Sequence, residues 1–427
     1  MQAPETTDCE LTVIGTGMAG MAAALFAANR GLSTVQVGHS GGILFASGLL
    51  DLMGVHPVAA QKVWQDPWAA IDALVRDEPH HPYARIKKED IRAAFDELLG
   101  FLNEAGLGYR RNGERNTQVL TSLGTVKPTY AVPETMWTGA QAFANKIPCL
   151  LVDFQGMREY SARQMAAIQK ERWPALQTLR VVFPDTENVA EVYTGLMAQA
   201  LESPATRKKL VERVRPHAQG VEAVGLPAIF GLYRTREILA DLTNGIGVPV
   251  FEIPTLPVSV PGLRLKETFE FKLPAKGIRA LRQQQVLEAR PSSQGGFRLG
   301  IGDKAIEHYL HTRSIILASG RFLGKGLLAE RKRIRETIFD LPVSQPVSRS
   351  GWHQKSFLDP RGHAFNRAGL EVDHCFRPLD AGGRPAFPAL FAAGSILAHQ
   401  DWVRMKCGSG VAIATAYAAV RACLEQK

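Results

Sequence analysis

A short apolar run near the N-terminus, residues 11–14, predicts a buried strand. The turn Gly15-Thr16-Gly17-Met18-Ala19-Gly20 follows directly and leads into an Ala-rich stretch with the length of a helix, which ends at Gly31. Residues 33–37 then predict a second strand. A strand, a glycine turn, a helix and a second strand in this order are typical of the opening unit of a parallel α/β sheet.

The middle of the chain repeats an alternation of apolar strands and amphipathic helices. Four strands are predicted there, at residues 148–154, 179–183, 224–230 and 248–253. Helical patterns separate them, at residues 160–172, 189–201, 205–214 and 236–242. Because βα alternation builds parallel sheets, this region predicts a second α/β domain, which has no glycine fingerprint of its own.

Further elements flank this region. On its N-terminal side, residues 66–76 and 88–105 predict helices, and residues 117–132 predict a β-hairpin with Gly124 in the turn. On its C-terminal side, the proline-rich residues 254–265 predict the crossing back to the first domain.

The last third of the chain predicts a return to the first sheet. Strand candidates at residues 286–289, 297–301 and 308–311 predict a small β-meander. It delivers an apolar strand, residues 314–320, that ends in Ala-Ser-Gly, so the chain can pass close to the glycine turn. A late strand at 389–395 and a long apolar helix at 411–424 follow.

Together these patterns predict an α/β fold in two domains. Residues 1–145 and 265–427 would form a discontinuous, Rossmann-like, three-layer domain with a small β-meander. Residues 146–264 would form an α/β domain inserted into it, with a role in covering substrate or docking a partner.

Composition narrows the possible functions. The 427 residues carry a net charge of +9, but the basic residues are scattered and form no strip interleaved with aromatics, so nucleic acid is not expected as a partner. The five cysteines include no CxxC, which favours a reducing cytosol and excludes an iron–sulfur cluster held by this chain alone. The acidic first ten residues lack a signal-peptide core, and no run is long enough to span a membrane.

The glycine turn predicts a phosphate site. Gly15 permits the tight bend, Gly17 has no Cβ to keep a phosphate off the backbone, and Gly20 lets the helix pack against its strand. The phosphate would lie at the helix N-terminus, where N–H groups and the macrodipole favour an anion. The alternative is a glycine-rich turn without a ligand.

The end of the second strand departs from the usual dinucleotide fingerprint. An Asp or Glu commonly holds the adenosine ribose there, but this chain has Gly38-His39-Ser40-Gly41-Gly42. The missing acid favours FMN, whose phosphate alone would occupy the glycine turn, over FAD, which remains the second candidate. His39 also leaves covalent flavin attachment open, although non-covalent binding is expected.

Other glycine-rich segments are candidates for contacts with the flavin. Ser47 and Gly48 suit a backbone that lies against a flat ring, although an ordinary turn between core segments fits equally well. Near the C-terminus, a second glycine-rich helix start aims N–H groups at an electron-rich acceptor, with Arg404 and Lys406 just upstream. Cys407, which directly precedes this helix start, is expected to be a packing residue rather than a redox centre. The candidate cofactor residues are Gly15, Gly17, Gly20, Ser47, Gly48, Gly320, Gly394, Ser395, Gly408 and Gly410.

These pieces resemble the flavoproteins of the glutathione-reductase type, which use two such motifs. More narrowly, the chain resembles the family of anaerobic glycerol-3-phosphate dehydrogenase B subunits, in the family's order and over nearly its whole length. The segments that carry this resemblance are Gly15–Gly20, Ser47–Leu52, His81-Pro82-Tyr83, Pro254–Pro257, Gly262–Leu265, Ala318–Gly320, Gly326–Arg331, Phe391–Ser395 and Cys407-Gly408.

The resemblance implies an FMN-containing subunit that pairs with an FAD-containing A subunit. The pair would oxidise sn-glycerol 3-phosphate to dihydroxyacetone phosphate. An iron–sulfur C subunit would dock it on the cytoplasmic face of the membrane for electron transfer to quinone, with fumarate or nitrate as terminal acceptor. The missing ribose acid and the absence of cluster cysteines agree with this picture independently of the resemblance.

Catalytic roles are less specific. If this chain binds the substrate, Arg264 and Arg321 are candidate phosphate clamps and His81 is a candidate base. The adjacent His80 and His81 lack companion ligands at zinc spacing, so no metal site is expected. Two rival functions stay open: an independent FAD oxidoreductase of the succinate dehydrogenase type, and a scaffold protein of the complex that has lost its flavin.

Overall fold

The computed structural model describes residues 5–39 and 41–426. The predictions that involve the first four residues or Ser40 therefore lie partly outside the described residues. The chain divides into two compact units. The first comprises residues 1–43, 51–100 and 269–427, and the second comprises residues 44–50 and 101–268. Residues 101–145, expected in the Rossmann-like domain, thus group with the inserted region.

The strands and helices below are numbered in chain order. The strands are β1 (Glu5–Ile14), β2 (Thr34–Gly38), β3 (Tyr109–Arg111), β4 (Thr117–Leu120), β5 (Val126–Thr129), β6 (Ala131–Pro133), β7 (Cys149–Phe154), β8 (Leu176–Val181), β9 (Ala223–Pro227), β10 (Val250–Ile253), β11 (Arg279–Arg282), β12 (Gln285–Pro291), β13 (Phe297–Gly302), β14 (His308–Leu317), β15 (Leu327–Ala329), β16 (Ile334–Glu336), β17 (Val343–Ser344), β18 (Gly369–Leu370) and β19 (Leu390–Ala392). The helices are α1 (Met18–Ala28), α2 (Pro67–Asp77), α3 (Lys88–Glu104), α4 (Glu134–Asn145), α5 (Ala162–Gln169), α6 (Thr194–Ala200), α7 (Pro204–Val214), α8 (Thr235–Ile246), α9 (Val260–Ala275), α10 (Trp402–Met405) and α11 (Gly408–Glu425).

The first unit is organised around a sheet with the order β11-β2-β1-β14-β13-β12, to which β19 adds beside β14. Strands β2, β1, β14 and β19 are parallel, and Ile14 pairs with Val37 and Leu317, while Leu317 pairs with Ala392. Their carboxyl ends therefore lie side by side. In open α/β sheets this edge is where ligands bind.

The predicted meander forms, but it belongs to the same sheet. Strand β13 pairs antiparallel with β12 on one side and with β14 on the other. The two strand predictions at 308–311 and 314–320 correspond to one long strand, β14, which pairs with β13 in its first half and with β19 in its second.

Helices α1 and α11 pack against each other in the first unit. Phe26 of α1 meets Tyr417 of α11 edge-on, with ring centroids 5.2 Å apart. Nine of the eleven residues of α1 are buried, because apolar and small side chains surround this helix instead of forming one stripe. The many small residues of both helices permit this close approach.

The second unit contains the predicted parallel sheet, with the order β10-β9-β7-β8. The hairpin predicted at 117–132 is also confirmed here: β4 pairs antiparallel with β5, and Gly124 has a φ of +76° in the turn. Large buried side chains such as Phe154, Phe183 and Phe230 fill the core between this sheet and its helices.

The second half of the segment 254–265, predicted to cross back to the first domain, is helical, because α9 begins at Val260. Ser259 starts the helix by accepting a hydrogen bond from Gly262 N–H at 3.0 Å through its hydroxyl and one from Leu263 N–H at 3.0 Å through its carbonyl. Pro261 lies in the first turn, where the missing N–H costs nothing. This proline therefore begins a helix and does not interrupt one.

Candidate functional site

The glycine turn joins β1 to α1 at the carboxyl edge of the first sheet. Gly15 has a φ of +133°, and its N–H donates to Val37 O at 2.8 Å. A Cβ at Gly15 would collide with the carbonyl of Ala318, and one at Gly20 would collide with the carbonyl of Gly15. Both positions require glycine because backbone approaches backbone there, as the sequence indicated.

Gly17 differs from its two neighbours. A Cβ at this position would meet no described atom nearer than Gly42 N, at 4.0 Å. Gly17 is the N-cap residue of α1 and gives the helix no side-chain cap. An open, Cβ-free space at a helix N-terminus fits the phosphate of a flavin nucleotide, because packing among the described residues does not explain the glycine.

The segment after β2 crosses over this turn. The hydroxyl of Thr16 donates to the carbonyl of His39, and a Cβ at Gly41 would collide with the backbone of Thr16 and Gly17. The ring of His39 lies instead near the Gln283 side chain, with Nδ1 3.4 Å from Oε1.

The ends of β14 and β19 continue the same edge. Ala318 N–H donates to Ile14 O at 2.8 Å, and Ala393 N–H donates to Leu317 O at 2.9 Å. Gly320 has a φ of +71°, and a Cβ on it would lie 3.5 Å from the Ser395 hydroxyl. Gly320 and Ser395 are therefore neighbours.

Gly394 connects helices α1 and α11. Its N–H donates to the Thr415 hydroxyl of α11 at 2.8 Å, and a Cβ on it would lie 2.5 Å from the Ala19 Cβ of α1. Its φ of +78° is itself a conformation that favours glycine. The structure thus brings Gly15, Gly17, Gly20, Gly320, Gly394 and Ser395 to one edge of one unit.

The glycines of α11 are required by packing. Gly410 N–H donates to Asp51 O at 2.6 Å, and a Cβ on Gly410 would collide with the Tyr83 hydroxyl. A Cβ on Gly408 would lie 2.9 Å from the Trp402 ring. The N–H of Gly410 is therefore committed to the protein, and the first turn of α11 presents its positive dipole without that donor.

Cys407, the N-cap residue of α11, is fully buried. Burial raises the pKa of its thiol well above the ordinary value, so the thiolate needed for redox chemistry does not form at neutral pH. This geometry agrees with the expected packing role.

His81 is also fully buried in the first unit. Its Nδ1 accepts a hydrogen bond from Tyr83 N–H at 3.2 Å, which places the ring proton on Nε2, an atom without a partner among the described residues. Burial, with a smaller contribution from the Arg367 cation, lowers the pKa of His81 to about 3. The ring is therefore neutral at physiological pH and presents an N–H donor.

Arg321 holds loops together at the sheet edge. Its Nη2 donates to Leu397 O at 3.1 Å and to Gln400 O at 2.9 Å, and its Nη1 donates to Asn366 O. Burial lowers the pKa of Arg321 to about 10, which leaves it charged at neutral pH. With these two nitrogens on backbone carbonyls, Nε is the atom left without a partner in the described parts of the chain.

Arg264, Ser47 and Gly48 belong to the second unit. Arg264 forms a buried, bidentate ion pair with Glu252, at 2.7 and 2.8 Å, and its Nε donates to Gly231 O at 2.7 Å. Gly48 has a φ of +83° and its carbonyl accepts the Tyr109 hydroxyl at 2.7 Å, and the Ser47 hydroxyl accepts Leu49 N–H at 3.4 Å. These contacts describe a turn anchored within its own unit.

Two site residues were missed by sequence reasoning. Thr16 and Thr415 tie the glycine turn and Gly394 in place through their hydroxyls. Thr415 lies in an apolar stretch of α11, where a buried hydroxyl needs a hydrogen-bond partner. This polar residue in an apolar helix was the available sequence signal.

One group of possible metal ligands occurs in the described residues: Asp373, His374 and Cys375. The Asp373 carboxylate already accepts Cys375 N–H, Arg377 N–H and the Arg377 guanidinium at 2.8–2.9 Å. The group is a local turn held by hydrogen bonds.

Comparison with known proteins identifies the family. A family model described as FAD binding domain matches residues 10–411. The B subunit of the anaerobic glycerol-3-phosphate dehydrogenase of Vibrio vulnificus (strain YJ016) is 30% identical over 424 residues, which cover 96% of this chain and 95% of that protein. The chain belongs to this family. The protein of the same name from Pectobacterium atrosepticum is 29% identical, and the match covers 95% of this chain and 96% of that protein.

The family membership confirms the expected resemblance and the Rossmann-like α/β fold. The FAD binding domain indicates a flavin cofactor, and the name of the relatives, as one lettered part of a dehydrogenase, implies partner subunits. Among solved structures, a 3-ketosteroid Δ1-dehydrogenase from Sterolibacterium denitrificans aligns with 98% of this chain and 100% of its own, at 11% identity and a TM-score of 0.42. Among the described residues, no helix has the length and apolarity needed to cross a membrane.

Proposed function

We propose that this chain is the flavin-containing B subunit of a dehydrogenase complex that oxidises sn-glycerol 3-phosphate to dihydroxyacetone phosphate. The observation that carries the proposal is the full-length relationship to the B-subunit family, combined with the glycine turn and Gly394 at one sheet edge. The electrons would pass towards quinone, with fumarate or nitrate as terminal acceptor.

The cofactor would supply reversible electron transfer, and the chain's own residues bind and orient it. The N-terminus of α1 and the space at Gly17 hold the phosphate. The positive end of α11 would stabilise negative charge on the flavin, whereas the Arg404 guanidinium is paired with Asp401 at 3.1 Å. Gly320, Gly394 and Ser395 keep side chains small where the ring would approach.

FMN fits this edge better than FAD. No carboxylate follows β2, so the usual anchor for the adenosine ribose is missing. The backbone at Gly41 also packs on Thr16 and Gly17, which leaves less room beside the glycine turn for an adenosine group. The match to an FAD binding domain keeps FAD as the second candidate.

The three residues considered for substrate chemistry favour a relay function for this chain. Arg264 and Arg321 have Nη donors engaged by protein acceptors, and His81 is neutral with a pKa of about 3, too low for an efficient base at neutral pH. We infer that the alcohol is oxidised on the FAD-containing A subunit. This chain then passes electrons towards an iron–sulfur C subunit, which docks the complex peripherally on the inner face of the membrane.

Identification of the released cofactor tests the first part of this proposal. The purified chain is heated, and the supernatant is analysed by mass spectrometry. FMN supports the proposal, and FAD overturns the FMN assignment in favour of a succinate dehydrogenase-like enzyme. A colourless protein overturns the flavin function and leaves a scaffold role.

A second experiment tests the relay. Glycerol 3-phosphate is added without oxygen to the flavin-loaded chain, alone and with the A subunit, while the flavin absorbance is followed. Bleaching of the mixture beyond that of the A subunit alone supports the relay. Bleaching of the chain alone shows that substrate is oxidised here and overturns it.

A further inference from the structure

The segment between β14 and β18, residues 321–367, is a lobe of the first unit with unusual surface chemistry. It contains the β15–β16 hairpin, β17 and two short 3₁₀ turns. At one point of this lobe, Phe357 is 83% exposed and Leu358 is 81% exposed. Single exposed apolar residues are common, but two adjacent large ones at this exposure call for an explanation.

The two side chains stand on an ordered support. The rings of Phe322, Phe365, His353, His363 and Phe357 contact each other in sequence, with centroids 4.9–6.3 Å apart. His363 fastens the loop, because its Nδ1 accepts Gln354 N–H at 3.0 Å and its Nε2 donates to Phe357 O at 2.9 Å. The backbone at Phe357 is therefore held in position before any partner binds, which lowers the entropy cost of docking.

The lobe is also strongly basic. It carries ten Lys and Arg against four Asp and Glu, so it contributes much of the chain's net charge of +9. Its acids are all engaged: Glu330 and Asp340 pair with Arg333, Asp359 pairs with Arg361, and the buried Glu336 accepts three backbone N–H groups. The exposed bases on its surface include Lys325, Arg331, Lys332 and Lys355.

We propose that Phe357 and Leu358 insert into an apolar socket with an acidic rim on another subunit of the same complex. The proposal rests on the proposed function, which supplies the partner subunits. Exposed apolar residues in a basic lobe match the usual anatomy of a protein interface, where an apolar centre gives affinity and charged residues outside it give association rate.

A membrane surface is the competing occupant, and Asp359 argues against it. This residue directly follows the apolar pair, and its ion pair with Arg361 lowers the pKa of the carboxyl to about 2. Insertion of Phe357 and Leu358 into lipid would carry an ionised carboxylate towards the acyl boundary of an anionic surface. At the rim of a protein interface the Asp359–Arg361 pair can stay hydrated.

The test is assembly of the full chain with the co-expressed A and C subunits. The variant Phe357→Ser/Leu358→Ser is compared with the matched control Tyr193→Ser/Leu196→Ser, which removes two exposed apolar side chains from the other unit. We expect the first variant to raise the dissociation constant for the partner subunits more than tenfold and the control to change it less than twofold. Arg331→Glu/Lys332→Glu should lower the association rate and its salt dependence.

Flavin content and the melting temperature show whether each variant folds. Equal affinity of the wild type and the Phe357→Ser/Leu358→Ser variant overturns the proposal. So does wild-type flotation with phosphatidylglycerol vesicles that this variant alone loses, because lipid is then the occupant. If the wild type binds neither of the two partners, the proposed function fails and this proposal fails with it.

Discussion

Gly394 lies against Ala19, so closely that a Cβ on Gly394 would be 2.5 Å from the Ala19 Cβ. The two residues stand almost at opposite ends of the sequence. Gly394 follows β19, and Ala19 lies in the first turn of α1. Their contact, together with the hydrogen bond from Gly394 N–H to Thr415, fixes α1 and α11 to one sheet edge.

Gly394→Ala should therefore destabilise the protein. The new Cβ must move α1 or the β19 loop, and alanine must also adopt a φ of +78°. We expect the free energy of unfolding in urea to fall by about 2–4 kcal/mol, the sum of strain and overpacking. Gly31→Ala is the control, because Gly31 has a φ of +70° but no atom within 4 Å of its Cβ position, so it should lose only about 1–2 kcal/mol.

A double variant separates the contact from the backbone strain. Ala19→Gly removes the Cβ that Gly394→Ala would strike, so the two changes together should cost less than the sum of their separate effects. Additive effects would show that the Cβ contact contributes nothing to the cost.

Gly17→Ala should lower flavin occupancy without destabilising the flavin-free protein. The added methyl group finds space in the protein, with Gly42 N at 4.0 Å as its nearest neighbour, but it fills the proposed phosphate position. We expect the dissociation constant for the flavin to rise at least tenfold, measured by fluorescence titration. Gly100→Ala in the exposed face of α3 should leave flavin binding unchanged and stabilise the chain by about 0.5–1 kcal/mol. Unchanged flavin binding by Gly17→Ala would show that the phosphate does not bind at this turn.

The parts of the fold that could be predicted are those with local signals. Periodicity predicted β1, α1 and β7, and glycine chemistry predicted the close approaches at Gly15 and Gly20. The return of β14 beside β1 was also predicted, because an apolar strand that ends in small residues has few other places to lie.

The parts that could not be predicted depend on partners distant in sequence. Arginine is a residue type that binds phosphate, which made Arg264 a candidate clamp. The sequence near Arg264 does not indicate that Glu252, on a buried strand, neutralises its charge. His81 has the residue type of a base, and only the structure shows its burial and the nearby Arg367. Charge and burial are tertiary properties, so a residue type alone cannot assign its protonation state.

The Glu252–Arg264 pair should be among the most sensitive points of the second unit. The Glu252 carboxylate also accepts the Thr135 hydroxyl and Phe230 N–H, both at 2.6 Å. Glu252→Gln would place an NH₂ group against these donors and leave the buried Arg264 cation without a counter-charge. We expect a loss of about 3–5 kcal/mol in urea unfolding. Glu134→Gln, which breaks partly exposed pairs with Arg110 and Arg236, should cost no more than about 1 kcal/mol. Equal losses in the two variants would contradict the importance of the buried pair.

The pH dependence of stability should report the buried, neutral state of His81. The pKa of His81 in the folded chain is about 3, below the ordinary value of 6.5, because of burial and of the cationic groups Arg367, His399, His56 and Arg85 around it. Between these values the unfolded chain binds a proton that the folded chain does not. His81 therefore does not change the free energy of unfolding above pH 6.5, and it lowers that free energy as the pH falls below 6.5. The loss is about 1.4 kcal/mol per pH unit.

His81→Asn should therefore flatten the fall in the free energy of unfolding between pH 6.5 and about pH 4.5, measured in urea at each pH. His80→Asn is the matched control, because it removes the exposed neighbour and should leave the slope unchanged. Parallel curves for the wild type and His81→Asn would mean that His81 takes up its proton in the folded chain as readily as in the unfolded one. The general-base role that its neutrality argues against would then be available to it again.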